Sequence, residues 1–256
     1  MKKEYTVRTE KLIGSDGVAA LATKSVLVFG LGGVGSFTVE ALVRAGIGKL
    51  TLVDKDVFDE SNINRQLGAL PSTVGRAKAE VMAERVRSVN PDIYVDAQVR
   101  FYLPEEDTDF IKDVNPDYIV DAVDNMTAKI AIAEKAYELG IPLISSMGAG
   151  NKLHPELFEL DYIENTSVDP LAKIMRKKMK ERGIRRLKVV YSKEIPVTHK
   201  IPEDSARVSP GSISFVPSVA GLIMAGAALA AVPIVAVFLI FQKSFTQGIT
   251  MGAVKG

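Results

Sequence analysis

Short apolar runs alternate with longer amphipathic stretches along the first half of the chain. The apolar runs are rich in β-branched residues and predict strands at residues 25–29, 50–53, 93–97, 118–122 and 142–146. Apolar positions at helical spacing between them predict helices at residues 36–45, 74–90 and 126–139. Gly46 and Gly140 directly follow two of these stretches, as helix-terminating glycines do. Strands that alternate with helices favour βαβ units and a mostly parallel, doubly wound sheet.

The second half is less regular but continues the same architecture. Apolar runs predict strands at residues 156–162 and 187–191. Asp169 and Pro170 form an N-cap and first-turn pair, which predicts a helix from there to Arg182. The polar, proline-containing stretch 193–207 predicts a surface loop near the site. The fold class is therefore predicted to be α/β, with a Rossmann-like, doubly wound, mostly parallel sheet that further strands extend in the C-terminal half.

The C-terminal part of the chain is unusually apolar, with no charged residue from 208 to 242. Small residues and Pro217 punctuate its first part, which predicts a buried strand at 212–216 and a buried helix at 217–231. For residues 232–245 a packed extension, a dimer contact and a membrane-facing segment all stay open, since about 20 apolar residues can cross a bilayer. We predict one domain over residues 1–232, with halves 1–150 and 151–232, and an apolar tail over residues 233–256.

Composition and charge narrow the function classes. A chain of 256 residues that is 47% hydrophobic and 25% charged is expected to form a globular core. A formal net charge of +1 gives no overall electrostatic case for a nucleic-acid partner, so any such case must come from local clusters. The absence of cysteine excludes disulfides, thiolate metal sites and a cysteine nucleophile. Residues 1–5 lack the apolar stretch of a signal peptide, so a cytoplasmic location is expected.

Glycines and polar residues follow the predicted strands, where ligands bind in doubly wound sheets. Gly30, Gly32, Gly33 and Gly35 form a turn after the first strand, and such glycines let the backbone approach a phosphate at a helix N-terminus. Asp54, after the second strand, is placed to accept both hydroxyls of a ribose. These features alone fit NAD as well as ATP.

A second polar set favours a triphosphate over a dinucleotide. Asn62, Arg65, Gln66 and Lys78 supply two amides and two cations. Arg and Lys commonly stabilise the charge that develops when pyrophosphate leaves. Asp124 follows the fourth strand and is a candidate Mg²⁺ ligand, because Mg²⁺ takes one or two carboxylates together with phosphate oxygens. The pattern therefore predicts a site for ATP and Mg²⁺ at which a carboxylate is adenylated.

Taken together, the motifs in residues 8–150 resemble those of the adenylation domain of the ubiquitin-activating-enzyme-like superfamily. The resemblance rests on Gly-x-Gly-Gly-x-Gly-Ser at 30–36, Val-Asp-x-Asp at 53–56, Ser-Asn-x-Asn-Arg-Gln at 61–66, Gly-x-x-Lys at 75–78 and Asp-Ala-x-Asp-Asn at 121–125. It implies that the glycines line the phosphates, that Asp54 holds the ribose and that Asp124 binds Mg²⁺. It also implies that Asn62, Arg65 and Lys78 contact the triphosphate. Finally, it implies a homodimer in which Arg8 reaches the ATP site of the partner.

Within this superfamily the chain is most similar to the tRNA threonylcarbamoyladenosine dehydratases. This resemblance rests on Arg-Thr-Glu at 8–10, Lys-Ala-Glu-Val-Met-Ala-Glu-Arg at 78–85 and Gly-Ala-Gly at 148–150, and it extends to residue 232. It implies ATP-dependent cyclisation of the threonylcarbamoyl group on an adenosine adjacent to a tRNA anticodon. The carboxylate would attack the α-phosphate, and an internal nitrogen or oxygen would then displace AMP. Because the acceptor lies within the same substrate, no cysteine is needed.

A cluster of cations in and after the helix predicted at 169–182 is a candidate tRNA surface. Nine basic residues lie between Lys173 and Lys188, against one acidic residue, Glu181. The candidate tRNA-binding residues are Lys173, Arg176, Lys177, Lys178, Lys180 and Arg182. Because phosphate contacts contribute much of RNA affinity, this cluster predicts a tRNA partner despite the low net charge.

Three other functions stay open from the sequence. The first is an adenylyltransferase that activates the C-terminal glycine of a small ubiquitin-like sulfur-carrier protein. The second is a non-catalytic nucleotide-binding or membrane-tethered adaptor, which the apolar tail at 233–256 suggests. The third is an NAD-dependent enzyme, which the glycine turn and Asp54 also fit. Under any of these functions, the same tail is a candidate for weak membrane association.

Overall fold

The structure, a computed structural model, describes residues 4–103, 109–197 and 210–231, which build a seven-stranded sheet with helices on both faces. The strands are β1 (Ser25–Phe29), β2 (Lys49–Val53), β3 (Tyr94–Gln98), β4 (Tyr118–Asp121), β5 (Leu143–Ser146), β6 (Phe158–Tyr162) and β7 (Lys188–Ser192). Their order across the sheet is β3-β2-β1-β4-β5-β7-β6. Neighbouring strands are parallel except for the antiparallel pair β6 and β7. The predicted Rossmann-like α/β class is confirmed.

The helices are α1 (Val7–Ala22), α2 (Gly35–Ala45), α3 (Lys78–Val89), α4 (Phe110–Val114), α5 (Met126–Leu139), α6 (Pro170–Glu181) and α7 (residues 215–231). Gly46 and Gly140 end α2 and α5 in the left-handed conformation that glycine adopts without strain, as predicted. Asp169 caps α6, because its Oδ1 accepts the Ala172 N–H at 2.9 Å.

The central strands are apolar on both sides because both sides of the sheet are covered. In β1, Val26 and Val28 pack into the core that α2, α3 and α7 form. Leu27 and Phe29 point the other way and pack into the core that includes α5 and α6. A rigid sheet between two helical layers therefore holds the loops at its carboxyl edge.

The prediction of a strand at residues 212–216 is wrong. Residues 210–213 have no regular structure, and α7 begins at residue 215. Pro217 lies in the first turn of α7, a position that proline tolerates because a first-turn N–H has no intrahelical partner. The predicted buried helix is confirmed, since Val216, Ala220 and Met224 are fully buried against α2 and the sheet.

Helix α7 approaches the start of α2 too closely for a side chain at Gly221. A Cβ added there would lie 2.2 Å from the carbonyl oxygen of Val34. Close by, the buried hydroxyl of Thr38 donates to the Gly221 carbonyl oxygen at 2.9 Å. This contact joins the C-terminal helix to the helix that follows the glycine turn.

We expect Gly221→Ala to lower the free energy of unfolding by about 1–3 kcal/mol, because the added methyl group forces two backbones apart. Gly226→Ala on the same helix is the matched control, since a Cβ there meets nothing within 4 Å. That control should stabilise the protein by about 0.5–1 kcal/mol through helix propensity. Urea unfolding followed by circular dichroism measures both, and equal effects of the two changes would contradict the close contact.

Some helices and strands begin or end at residues other than those predicted, and two helices were not predicted from the sequence. Helix α3 begins at Lys78 rather than at residue 74, because turns occupy the preceding residues and Gly75 has φ +84°. Helices α1 and α4 carry no strong periodic signal. Both chain halves contribute strands to one sheet, and the division at residue 150 stays a prediction.

The remaining predictions for the C-terminal region concern residues 198–207 and 232–256, which lie outside the described residues. Within the ranges that the structure describes, no helix has the length and apolar character needed to span a bilayer.

Candidate functional site

A cavity of about 490 Å³ lies at the carboxyl edge of the sheet. The strand order reverses between β1 and β4 at this edge, and doubly wound sheets bind their ligands at such a point. The ends of β1, β2, β4 and β5 contribute to its wall, together with Leu171 from α6 and Pro217 from α7. Apolar side chains such as Val53 and Val123 share this lining with several charged ones.

The glycine turn after β1 packs against the chain that follows β4 and leaves no room for a side chain at Gly30 or Gly35. Gly30 has φ +84°, and a Cβ there would lie 2.6 Å from the Ala122 carbonyl oxygen. A Cβ at Gly35 would lie 1.8 Å from the Gly30 carbonyl oxygen. No side chain caps the N-terminus of α2, and the Ser36 N–H donates to the Gly32 carbonyl oxygen at 3.1 Å. Gly33 and Val34 line the cavity at this end of the helix, whose dipole favours an anion there.

Gln66 and Arg65 lie beside this turn. Among the described residues, Gln66 Oε1 is the one buried side-chain nitrogen or oxygen without a hydrogen-bond partner. An unpaired buried polar atom costs about 1–3 kcal/mol, so this oxygen indicates that a ligand or water completes the site. The Arg65 guanidinium is held by the Ser61 carbonyl oxygen at 2.8 Å and by Asn64 Oδ1 at 2.9 Å.

Asp54 is a fixed, half-buried acceptor in the cavity. Its Oδ2 accepts the Leu31 N–H at 2.7 Å, and its Oδ1 accepts the Asp56 N–H at 2.9 Å. Burial raises the pKa of Asp54 above its ordinary value, although the two backbone donors and Lys78 oppose this. The remaining lone pairs of the carboxylate suit a ligand that donates hydrogen bonds, such as a pair of hydroxyls.

Two lysines flank Asp56 at the end of β2. Lys55 Nζ lies 2.9 Å from Asp56 Oδ1, and Lys78 Nζ lies 3.5 Å from Asp56 Oδ2. Partial burial works against the ionised carboxylate, but the two lysines hold the pKa of Asp56 below its ordinary value. Only 9% of the Lys78 side chain is exposed, against 55% for Lys55. Because 3.5 Å is long for a charge-assisted hydrogen bond, Lys78 remains able to bind an anion.

Asp124 lines the cavity from the turn between β4 and α5 and is exposed to solvent. The adjacent Asn125 caps α5, since its Oδ1 accepts the Ala128 N–H at 3.0 Å, and Asp124 is therefore not needed as the cap. The described ranges contain no cluster of three or more His, Cys, Asp or Glu side chains that could hold a metal ion. A cation at Asp124 would need further oxygen ligands from a bound anion, which is the mode Mg²⁺ favours.

A fully buried charge network lies behind Asp124. Lys129 Nζ binds Asp121 Oδ2 at 2.7 Å, the Ser145 hydroxyl at 3.1 Å and the Ser146 carbonyl oxygen at 2.9 Å. Ser145 also donates to Asp121 Oδ2 at 2.6 Å. Because Asp121, Ser145 and Lys129 belong to β4, β5 and α5, the network ties together the elements that carry the Asp124 turn.

Most of the predicted nucleotide residues meet at this cavity, whose lining includes Gly30, Gly32, Gly33, Asp54, Arg65, Gln66, Lys78 and Asp124. Three others do not line it. Gly35 packs behind the turn, Asn62 Oδ1 accepts the Asp59 N–H at 3.2 Å in a capping box, and Arg8 is exposed on α1. Direct nucleotide contacts by these three stay predictions.

The six candidate tRNA-binding residues lie on α6 or directly after it. Three of them are bonded within the protein: Arg176 to Thr166, Lys178 to Glu181 and Arg182 to Glu134. The other three are exposed: Lys173, Lys177 and Lys180. The predicted patch therefore contains both structural and outward-facing cations.

Several residues of the cavity wall were not predicted from the sequence. Arg100, Phe101 and Tyr102 follow β3 and line the cavity. The Tyr102 ring packs 5.1 Å from the Phe29 ring, measured between centroids, and the Arg100 guanidinium lies 4.7 Å from the Phe110 centroid. Their position directly after a parallel strand was the available signal, because ligand-binding residues gather at that edge of the sheet.

Comparison with known proteins places this site in a family. The ThiF family matches residues 6–238. The tRNA threonylcarbamoyladenosine dehydratase of Bacillus subtilis (strain 168) is 43% identical over 231 residues, which cover 86% of this chain and 91% of that protein. The structure of the Escherichia coli enzyme of the same name in complex with ATP has a TM-score of 0.81 and 33% identity, covering 90% of this chain and 94% of that one.

The adenylyltransferase and sulfurtransferase MOCS3 of Dictyostelium discoideum is 35% identical over 154 residues, but the match covers 56% of this chain and 36% of that protein. The dehydratase match thus extends much further along both chains than this one does. The chain belongs to the ThiF family, in the branch formed by the tRNA threonylcarbamoyladenosine dehydratases.

Proposed function

We propose that this chain is an ATP-dependent enzyme that cyclises threonylcarbamoyladenosine in tRNA through an adenylated carboxylate. The observation that carries the proposal is the cavity in which the glycine turn, Asp54, Arg65 and Lys78 meet. Relatives that match this chain over most of their length are named for this activity, which supports the proposal. Two fixed cations in one wall suit a triphosphate better than the neutral crevice of a dinucleotide site.

The reaction needs ATP as a substrate and two displacement steps. A carboxylate oxygen of the threonylcarbamoyl group bonds to the α-phosphorus, and the bond to pyrophosphate breaks. A nitrogen or oxygen of the same group then attacks the activated carbonyl carbon, and AMP leaves with the former carboxylate oxygen. The ring closes with the loss of one proton. Because the acceptor is already tethered, proximity replaces a covalent enzyme intermediate, which suits a chain without cysteine.

The residues of the cavity divide this work between positioning and charge stabilisation. Gly30, Gly32 and Gly33 let the backbone approach the phosphates, and Asp54 accepts the ribose hydroxyls. Lys78 and Arg65 stabilise the negative charge that develops on the α-phosphate and on the leaving pyrophosphate. The unpaired Gln66 Oε1 and the uncapped start of α2 support a nucleotide as the occupant of this cavity.

Mg²⁺ is proposed as the accompanying metal, with Asp124 as its protein ligand. The fit rests on one exposed carboxylate in the cavity wall, because Mg²⁺ usually binds one or two carboxylates and takes its other ligands from phosphates and water. When bound, the ion would neutralise phosphate charge.

The proposal also covers the assembly of the protein, its location in the cell and its contact with tRNA. Arg8 is exposed on α1 and lies outside the lining of its own chain's cavity, which agrees with a homodimer in which it reaches the partner's ATP site. A cytoplasmic location, and weak membrane association through residues 233–256, stay predictions. Contact with tRNA is assigned to the cations of α6, because basic residues strongly outnumber acidic residues on this helix.

Mass spectrometry of tRNA nucleosides tests the function. Threonylcarbamoyladenosine in tRNA should decrease when the protein, ATP and Mg²⁺ are added, and a product lighter by one water should replace it. Pyrophosphate release that a small carrier protein stimulates, and that tRNA does not, would support the sulfur-carrier adenylyltransferase instead. No ATP turnover with either substrate would support a nucleotide-binding adaptor.

The raised pKa of Asp54 predicts how ATP affinity changes with pH. An aspartate whose pKa is raised by burial binds a proton at higher pH than an ordinary one, and the protonated form accepts hydrogen bonds less well. The affinity for ATP should therefore fall as the pH drops through this raised pKa. The measurement is the ATP affinity of the unchanged protein divided by that of Asp54→Asn, at a series of pH values. Because both proteins bind the same ATP at each pH, protonation of ATP itself cancels from this ratio. A ratio that does not vary with pH would contradict the role of the ionised carboxylate.

A further inference from the structure

Helix α6 leads from the cavity to the opposite edge of the sheet. At its first turn Leu171 lines the cavity, and Asp169 Oδ2 binds the buried ammonium of Lys152 at 2.7 Å. That ammonium also binds the Gly148 carbonyl oxygen in the cavity wall. The chain after α6 enters β7, which is parallel to β5 and so begins at the edge away from the cavity. The N-terminus of α6 is therefore fixed at the site, and its C-terminus lies remote from it.

The cations on α6 are not equivalent. Arg176 Nη1 donates to the Thr166 carbonyl oxygen and to its hydroxyl, both at 2.6 Å, so this side chain holds the turn before the helix. Lys178 binds Glu181 at 3.2 Å, and Arg182 pairs with Glu134 of α5. Contacts within the protein therefore already engage all three side chains, and carboxylates offset the charges of Lys178 and Arg182.

Lys173, Lys177 and Lys180 form an outward stripe. Their spacing of i, i+4 and i+7 places them on one face of the helix, over a length of about 10.5 Å. Within the described ranges, Lys173 and Lys180 take part in no ion pair, and Lys177 reaches Glu181 only at 3.9 Å with 77% of its side chain exposed. Two unpaired ammonium groups and one that is only weakly paired, in a row, suit a string of phosphates better than a single ion.

The geometry points to Lys173, Lys177 and Lys180 as the track along which the RNA backbone runs to the cavity, with the nucleoside that reacts at the Lys173 end. This inference rests on the proposed function and adds to it the path and direction of the tRNA. Arg185, Arg186 and Lys188 lie beyond the far end of the track, at the edge of the sheet away from the cavity. Any RNA that they contact is therefore distant from the reacting nucleoside.

The first test measures tRNA affinity against salt concentration for Lys173→Gln/Lys177→Gln/Lys180→Gln. The slope of log affinity against log salt should become shallower by about 2–3, since each lost phosphate contact removes about 0.7–0.9. The matched control is Lys112→Gln/Lys135→Gln/Lys193→Gln, which removes the same charge from side chains on α4, on α5 and after β7. The control should keep the original slope, and ATP affinity should stay unchanged in both proteins. Equal slopes for the two triple variants would overturn the track.

A comparison of neighbours separates the stripe from the helix as a whole. Lys177→Gln should weaken tRNA binding more than Lys178→Gln, although the two residues are adjacent and the charge change is the same. A larger effect at Lys178 would overturn the assignment of the outward face.

The second test determines direction and uses the absence of cysteine in the chain. Lys173→Cys and Lys180→Cys each create a single attachment point for an iron chelate that generates hydroxyl radicals. Cleavage of bound tRNA from position 173 should fall nearer to the modified adenosine than cleavage from position 180. The reverse order, or the same cleavage pattern, would overturn the proposed direction.

These outcomes are distinguishable from failure of the proposed function. If the unchanged protein converts the nucleoside but the stripe variant keeps its salt slope, only the track fails. If the unchanged protein binds tRNA through the stripe but converts nothing, the track holds and the reaction fails.

Discussion

Lys78→Met is expected to lower the rate of tRNA-stimulated pyrophosphate release by about 10²- to 10³-fold, the usual loss when one preorganised group that stabilises transition-state charge is removed. Methionine keeps the length and apolar stem of lysine, and it removes the ammonium. Because only 9% of this side chain is exposed, water cannot readily replace the missing charge. The loss should appear mainly in kcat, since the charge that Lys78 stabilises develops as pyrophosphate leaves.

Lys55→Met is the control for this prediction. It removes a charge from the same cavity and from the same Asp56 carboxylate, which Lys55 Nζ binds at 2.9 Å. Because 55% of its side chain is exposed, water and salt screen the charge of Lys55. We therefore expect Lys55→Met to lower the rate by less than about tenfold. Thermal unfolding checks that both variants remain folded. Equal turnover in Lys78→Met and in the unchanged protein would contradict the assignment of Lys78 to the phosphates.

The sequence predicts the central layers of this fold well because their signals are local. Strands β1, β2 and β4 are short, mostly apolar runs that are buried on both faces, and α2 and α5 end at glycines in the left-handed conformation. These features are encoded by neighbouring residues. The strand predicted at 212–216 failed because an apolar run of this length suits a strand or the start of a buried helix equally well.

The candidate site could be predicted in part because doubly wound sheets gather strand ends at one edge. Asp54, Lys78 and Asp124 are far apart in the chain, and the topology brings all three to one cavity. The roles of Asn62 and of the cations on α6 were less predictable. Whether a polar side chain faces a ligand or caps a turn depends on tertiary contacts, such as the hydrogen bond from the Asp59 N–H to Asn62 Oδ1.

The buried network at Lys129 gives the largest stability effect that we expect. Lys129→Met would leave the Asp121 carboxylate fully buried without its cation, and breaking such a pair commonly costs about 3–5 kcal/mol. That loss is a large share of the about 5–15 kcal/mol by which a folded domain is stable. Urea unfolding should show a lower midpoint, and the loosened β4–α5 turn should also weaken ATP binding through Asp124.

The double variant Lys129→Met/Asp121→Asn distinguishes an unpaired charge from a simple packing defect. Asparagine has no charge to leave unpaired, and its carbonyl oxygen can still accept the Val123 N–H that now reaches Asp121 Oδ1 at 3.2 Å. The double variant should therefore be more stable than Lys129→Met alone, although it carries one more substitution. If the second change lowers stability further, the cost of Lys129→Met arises from lost packing, and the Lys129–Asp121 pair does not hold the turn that carries Asp124.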